Sequence, residues 1–205
     1  DVSKSSQPYS SLLLASCGLE RDYVIHKKAI SVSRRHSDLT IELMEKCGAV
    51  IEITEEKTSI SPWTSNPPSE WNVPSDGSMM PFPILACLLT KQPIRIENPV
   101  DANDALGHEI LFEHLRSFGI DYQDLTLRCN GSFDEVDIDL RDANDLLPPL
   151  AAILALSGGG RLRGASHAKH KESNRILSTK KLLEAFGLTT TIKDDGLSIE
   201  GGQTL

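Results

Sequence analysis

The sequence predicts an α/β (α+β) chain assembled from repeated βαβαββ units that belong to parts of two lobes. Three observations predict it. Three segments read alike: each has an apolar helix, a short strand, an amphipathic helix that stops at a glycine, and two strands about a polar turn. The intervals Ala15–Gly48, Ala86–Gly119 and Leu154–Gly187 are equal in length, so the segments share one spacing as well as one pattern. A Pro-, Ser- and Asn-rich stretch, Pro62–Pro68, interrupts the pattern after the first segment and reads as a linker or crossover between lobes.

The elements follow in order. Unit one opens with an apolar helix through Leu12-Leu13-Leu14-Ala15. Ile41, Leu43, Met44 and Cys47 give its second helix an apolar stripe. Gly48 ends that helix, where a positive φ costs a glycine little, and Val50–Thr54 with Thr58–Ser61 form the closing hairpin. Unit one shows no upstream strand, so sequence before Asp1 is expected to be missing. In unit two, Trp71-Asn72-Val73 is the expected first strand and Ile84-Leu85-Ala86-Cys87 the first helix. Leu111, Phe112, Leu115 and Phe118 form the stripe of its second helix, Gly119 the stop, and Asp121-Tyr122 with Leu125–Arg128 the hairpin. In unit three the strand Val136–Asp139 leads to the helix at Ala151–Leu154. A second helix follows with Ile176, Leu177, Leu182, Leu183 and Phe186, ending at Gly187. Its hairpin pairs Thr189–Ile192 with Leu197–Ile199 across the turn Asp194-Asp195-Gly196. Residues 1–70 therefore read as part of a first lobe, one unit lacking its first strand. Residues 71–205 read as part of a second lobe with two units.

Composition bounds the function. With 205 residues, 39% of them apolar, there is material for one large or two small cores. A net charge of −8 without a long basic tract argues against a nucleic-acid binder, yet leaves room for a local cationic pocket for a small anion. No apolar run reaches membrane-spanning length and no signal peptide is visible. Cys17, Cys47, Cys87 and Cys129 include no C-x-x-C pair, and the first three fall in apolar helical patterns. This reads as a reducing, cytoplasmic compartment with neither a zinc site nor a disulfide framework.

The most informative stretch is His170-Lys171-Glu172-Ser173-Asn174-Arg175, expected to open a helix after a Gly-rich strand. A helix start attracts anions through unpaired N–H groups and its dipole. The four-residue spacing of Lys171 and Arg175 places them on one helix face, with Glu172 beside them. Alone, this would be a solvated charged first turn. Ser5-Ser6-Gln7 puts two hydroxyls and an amide at another helix start, where they could join N–H groups around a phosphate; alone, it is an ordinary N-cap. Ser31–Asp38 leads into the second helix, and its Arg34 and Arg35 read equally as a solvated cap. Val73-Pro74-Ser75-Asp76-Gly77-Ser78 marks the passage into the second lobe. Asp139 ends a strand, Asp145 opens the next helix, and Gly164–Arg175 follows the strand after it.

The repeat and these four signatures resemble the EPSP synthase family, the 3-phosphoshikimate 1-carboxyvinyltransferases (5-enolpyruvylshikimate-3-phosphate synthases). The resemblance covers essentially the whole chain, which corresponds to the central part of a protein about twice as long. It implies the enolpyruvyl transferase fold. It also implies an enzyme, a transferase of the shikimate pathway of aromatic amino acid biosynthesis. That enzyme moves the enolpyruvyl group of phosphoenolpyruvate to the 5-hydroxyl of shikimate 3-phosphate and releases phosphate. By the same resemblance Ser5, Ser6, Gln7 and Ser33 bind shikimate 3-phosphate, and Gln7 also approaches phosphoenolpyruvate. His36 is a weaker candidate. Asp145 is the base near the 5-hydroxyl, His167 stands where the family has a substrate-side Asn or His, Lys171 binds the sugar-like substrate, Glu172 is the proton donor and Arg175 binds the phosphoenolpyruvate anion. Addition and elimination need one acid and one base, which the two carboxyl groups supply. Asn174 stands in place of the usual Asp, and Ser75, Gly77 and Met79 depart from the usual small residues.

The resemblance implies no metal ion and no organic cofactor. The implied partners are the two substrates and the remaining segments of the same enzyme, with neither nucleic acid nor membrane. Further cationic groups of the family cannot be placed in this chain, so the isolated 205 residues are expected to have negligible activity and to expose apolar surface where a further unit packs. Two rival readings remain open at this point. UDP-N-acetylglucosamine enolpyruvyl transferase shares the fold, although Ser5-Ser6-Gln7 and Lys171-Glu172-Ser173 match the shikimate branch. A non-catalytic scaffold that kept the fold is the other.

Overall fold

The structure, a computed structural model, describes residues 6–27, 34–101 and 107–205, apart from the side chain of Arg34. The sequence repeat emerges as a shared sheet topology. Strands β1 (Tyr23–His26), β2 (Ile51–Ile53) and β3 (Lys57–Ile60) form a sheet in the order β1-β3-β2. Strands β4 (Ile94–Arg95), β5 (Ile120–Gln123) and β6 (Thr126–Cys129) form β4-β6-β5. Strands β7 (Val136–Asp139), β8 (Gly159–Arg163), β9 (Thr190–Lys193) and β10 (Gly196–Glu200) form β7-β8-β10-β9. In every sheet the last strand of the unit lies centrally, antiparallel to both the strand after the first helix and its own hairpin partner. The third sheet adds the parallel opening strand β7, in register Val136↔Gly160 to Asp139↔Arg163 with β8.

The helices are α1 (Gln7–Leu14), α2 (Arg34–Lys46), α3 (Pro81–Thr90), α4 (Ile110–Glu113), α5 (Leu147–Leu156) and α6 (Arg175–Ala185). The chain divides into two compact units, Asp1–Val73 and Pro74–Leu205.

In the Asp1–Val73 unit, α1 packs on α2 around Tyr9, Leu13, Ile41, Met44, Ala49 and Ile60. Tyr9 Oη and Thr58 Oγ1 share a 2.5 Å hydrogen bond inside this core. Pro62–Pro68, expected to be a linker or crossover between lobes, is tied to the Asp1–Val73 unit through Trp63 and Asn66. Trp63 Nε1 donates to Ser16 Oγ at 2.9 Å, that hydroxyl donates to the Leu13 carbonyl at 2.7 Å, and the Trp63 carbonyl accepts from Gly18 N–H at 2.9 Å. Asn66 N–H then satisfies the Cys47 carbonyl at the end of α2, at 2.8 Å. An indole that packs, partly buried, against this core while its N–H finds an acceptor is the physical reason this proline-rich stretch is held.

In the Pro74–Leu205 unit, α3 and α5 pack against each other. Ile84, Cys87 and Leu88 of α3 and Leu150, Ala151, Ile153 and Leu154 of α5 share one core with Ile120, Leu127, Ile138, Leu162 and Leu197 of the sheets. Both helices are apolar on most faces: one side of each packs into this core, and Phe82 and Leu89 of α3 remain 54% and 51% exposed.

Several expectations are corrected. Trp71–Val73 is not a strand. Pro67-Pro68 and Pro74 flank it and supply no N–H donors, and Val73 is 85% exposed, so burial does not reward pairing there. The second helix of unit two is a single turn, α4. Beyond it the chain continues in turns, where Phe118 N–H reaches the His114 and Leu115 carbonyls at 3.0 and 3.1 Å. Leu111, Leu115 and Phe118 are nonetheless buried, so the stripe packs without a regular helix beneath it. In α6, Ile176 and Leu183 are buried, whereas Leu182 and the residue just after the helix, Phe186, are 52% and 60% exposed; Leu182, Leu183 and Phe186 line an open apolar groove of about 380 Å³ with Phe82, Leu89 and Pro149. Gly48 and Gly187 do end helical segments, at φ of +98° and +79°, whereas Gly119, at φ +77°, closes the run of turns that follows α4. At Gly119 a Cβ would also overlap the Phe133 ring.

Candidate active site

β7 and β8 are adjacent and parallel, so their C-terminal ends deliver two loops to one edge of the sheet. After β7 the chain makes a 3₁₀ turn, Asn144–Leu146, before α5. After β8 it makes a 3₁₀ turn, Ser166–His170, and a short loop before α6.

Ion pairs pin these ends. Asp139 Oδ2 accepts from Arg163 Nη1 at 2.6 Å, and its Oδ1 accepts from Arg141 N–H at 2.9 Å. Arg163 Nε donates to Asp137 at 2.7 Å, and that bond is the main reason the guanidinium pKa lies above its ordinary value. Gly164, at φ +72°, leaves the room that Asp139 Oδ1 fills. The β9–β10 turn latches the same loop. Asp195 accepts from Arg161 Nη2 at 3.0 Å and from Gly164 N–H at 3.3 Å, its carbonyl accepts from Ala165 N–H at 2.8 Å, and Lys169 Nζ donates to the Asp194 carbonyl at 2.8 Å. The Arg161 bond holds the Asp195 carboxyl below the usual carboxylate range.

Within this frame Arg175 is the organising residue. Its Nη1 donates to Asp145 Oδ1 at 2.5 Å, to Asn144 Oδ1 at 2.7 Å and to the Asn144 carbonyl at 3.2 Å. Its Nη2 lies 3.6 Å from Glu172 Oε2. The two carboxylates expected to move protons thus meet one guanidinium, which is 21% exposed, while Glu172 is 79% exposed.

Helix placement differs from expectation. α6 begins at Arg175, so Lys171 and Arg175 do not share a helix face, and Lys171 is extended at the end of the 3₁₀ turn. The cause is Asn174, whose Oδ1 accepts from Leu177 N–H at 3.1 Å as the N-cap. Asp145 sits in the 3₁₀ turn and does not open α5, which starts at Leu147 with Pro148 and Pro149 in its first turn, where N–H groups lack partners anyway.

His167 is 5% exposed and its Nε2 has no hydrogen-bond partner among the described residues. Burial lowers its pKa first, the Lys171 and Arg175 cations lower it further, and Asp142 and Asp145 oppose them. The imidazole, Lys171, Arg175 and Asp145 therefore occupy one electrostatic neighbourhood. Ser6 and Gln7 belong to the other compact unit. Ser6 is buried at the N-cap of α1, its hydroxyl makes no capping bond among the described residues, and its carbonyl accepts from Tyr9 and Ser10 N–H. Gln7 is exposed in the first turn. Ser5 and Ser33 lie outside the described residues. Asn144, which grips Arg175, carried no signal of its own in the sequence beyond preceding Asp145.

All 205 residues match the family model of EPSP synthase (3-phosphoshikimate 1-carboxyvinyltransferase). The chain belongs to the EPSP synthase family. A 3-phosphoshikimate 1-carboxyvinyltransferase of Methanocella arvoryzae is 30% identical over 205 residues, covering 97% of this chain and 48% of its own length. One from Korarchaeum cryptofilum is also 30% identical, covering 98% and 48%. The chain thus spans about half the length of the curated relatives it matches. Among solved structures, EPSP synthase from Acinetobacter baumannii aligns with a TM-score of 0.69 at 21% identity, over 98% of this chain and 47% of that one. The enolpyruvyl transferase NikO from Streptomyces tendae aligns at 0.60 and 20%, over 93% and 45%. These likenesses show the enolpyruvyl transferase fold. Among the described residues of this EPSP synthase family member, no helix is long and apolar enough to cross a membrane.

Proposed function

We propose that this chain supplies part of the active site of an enzyme that transfers the enolpyruvyl group of phosphoenolpyruvate to the 5-hydroxyl of shikimate 3-phosphate, releasing phosphate. The observation that carries the reading is the meeting of Asp145 and Glu172 on Arg175 at the ends of β7 and β8. In this reading Arg175 binds the phosphoenolpyruvate anion through charge-assisted bonds. Asp145 takes the proton of the attacking hydroxyl, and the exposed carboxyl of Glu172 delivers one to the methylene carbon. In elimination from the tetrahedral intermediate Glu172 takes a proton back from the new methyl group, the C–O bond to phosphate breaks, and the proton held by Asp145 passes to the departing phosphate. Lys171 and His167 flank shikimate 3-phosphate together with Ser5, Ser6, Gln7 and Ser33, and Gln7 also reaches phosphoenolpyruvate. Residues 1–70 and 71–205 then belong to two lobes of a longer enzyme, whose other segments supply further cations. Four free cysteines accord with a cytoplasmic setting.

The test is a chimera in which these 205 residues replace the matching span of the Methanocella arvoryzae enzyme. Phosphate release that requires both phosphoenolpyruvate and shikimate 3-phosphate supports the reading. A folded chimera that binds neither compound, or that binds UDP-N-acetylglucosamine instead, overturns it.

A further inference from the structure

We propose that Asn144 is a positioning residue that anchors one end of the Arg175 guanidinium with neutral acceptors, so that its other edge stays oriented and charged for a phosphate- or carboxylate-bearing substrate. The inference rests on the reading of Arg175 as the cation for phosphoenolpyruvate.

Asn144 is 1% exposed, so its amide is fixed by its surroundings. Arg175 Nη1 carries two hydrogens and meets three acceptors: Asn144 Oδ1 at 2.7 Å, the Asn144 carbonyl at 3.2 Å and Asp145 Oδ1 at 2.5 Å. Three acceptors on one nitrogen saturate it and set the plane of the whole guanidinium, because the fork is rigid. The free choice is at the other end. There Nη2 faces Glu172 Oε2 at 3.6 Å, beyond hydrogen-bond length, on a side chain that is 79% exposed. An incoming anion can take that edge without dismantling the socket.

The chemistry of the socket matters as much as its shape. Two of its three acceptors are neutral, and both come from Asn144. A carboxylate at the same place would hold Nη1 equally well but would put a second anion beside Asp145, cancelling the attraction that an anionic substrate needs. An apolar side chain would leave Asp145 and the backbone carbonyl to hold Nη1, and the guanidinium could turn.

The experiment uses the 205-residue chain with isotope-labelled arginine. Side-chain nitrogen NMR reads rotation of the Arg175 guanidinium, and titration with phosphoenolpyruvate and with inorganic phosphate reads anion binding. In the unsubstituted chain Nη1 and Nη2 of Arg175 give separate signals. Asn144→Ala merges them, with the backbone spectrum otherwise retained, and weakens phosphoenolpyruvate about tenfold. Asn144→Asp, close in shape, keeps the signals separate, with the backbone spectrum otherwise retained, yet weakens phosphoenolpyruvate by a similar factor. Separate signals in a folded Asn144→Ala chain overturn the anchoring, and full affinity in Asn144→Asp overturns the charge argument. Merged signals in the Asn144→Ala chain, together with a folded chimera with the Methanocella arvoryzae enzyme that binds neither anion, remove the substrate reading and support the anchoring.

Discussion

Arg175 Nη1 lies 2.5 Å from Asp145 Oδ1 while Nη2 of the same guanidinium lies 3.6 Å from Glu172 Oε2, so one cation spans two carboxylates of unequal exposure. In the chimera with the Methanocella arvoryzae enzyme, this separates binding from proton transfer. Asp145→Asn and Glu172→Gln should lower kcat about 10²- to 10⁴-fold while changing either KM only a few-fold. Arg175→Ala should instead raise the KM for phosphoenolpyruvate about 10- to 100-fold. Steady-state kinetics with each substrate varied in turn decides it. Near-normal turnover in Glu172→Gln would remove that residue as the proton donor.

Asn174 replaces the Asp that the family resemblance leads one to expect, and in the structure it fills the N-cap of α6. Its Oδ1 accepts from Leu177 N–H at 3.1 Å, a bond either side chain makes. Asn174→Ala should cost about 1 kcal/mol in urea unfolding, and Asn174→Asp should stay within about 0.5 kcal/mol of the parent. Equal loss in both variants would show that the cap does not set the start of α6.

What the sequence disclosed, and what it withheld, divide along physical lines. Hairpins, helix-ending glycines and the parallel entry strand Val136–Asp139 rest on local chemistry, and they were legible. The grouping of Asp145, Glu172 and Arg175 followed from family resemblance, not from spacing. The helix-face argument for Lys171 and Arg175 failed because a capping side chain at Asn174 moved the helix start, which no count of apolar positions reveals. Trp71–Val73 resembled a strand in composition, but strand pairing needs a neighbour with free backbone groups and burial to reward it. Asn144 was invisible because a buried asparagine acquires its role from a partner thirty-one positions away.

His167 gives a pH dependence with a definite sign. Its pKa is lowered in the folded chain from the ordinary 6.5, chiefly by burial. The unfolded chain therefore takes up a proton near pH 6.5 that the folded chain refuses. The stability associated with the neutral imidazole is whole above that pH and is lost as pH falls through it toward the lower folded value. Urea unfolding between pH 7.5 and 5 should show a shallower loss in His167→Asn than in the parent. Parallel curves for the two proteins would contradict the burial of a neutral imidazole.

Leu183 and Phe186 separate the true core face of α6 from the face the sequence pattern added to it. Leu183 is buried in the core, at 3% exposure, and gives the groove part of its wall, whereas Phe186, just past the end of α6, lines the same groove at 60% exposure. Removing a buried leucine side chain forfeits its transfer free energy and leaves a cavity, so Leu183→Ala should cost about 2–5 kcal/mol. Phe186→Ala removes a larger side chain but loses contact on one side alone, so it should cost about 1 kcal/mol or less. The two variants, compared by urea midpoint at fixed protein concentration, should thus rank opposite to side-chain size. The reverse ranking would mean that Phe186 is enclosed in solution, and that the groove between α3, α5 and α6 is filled there.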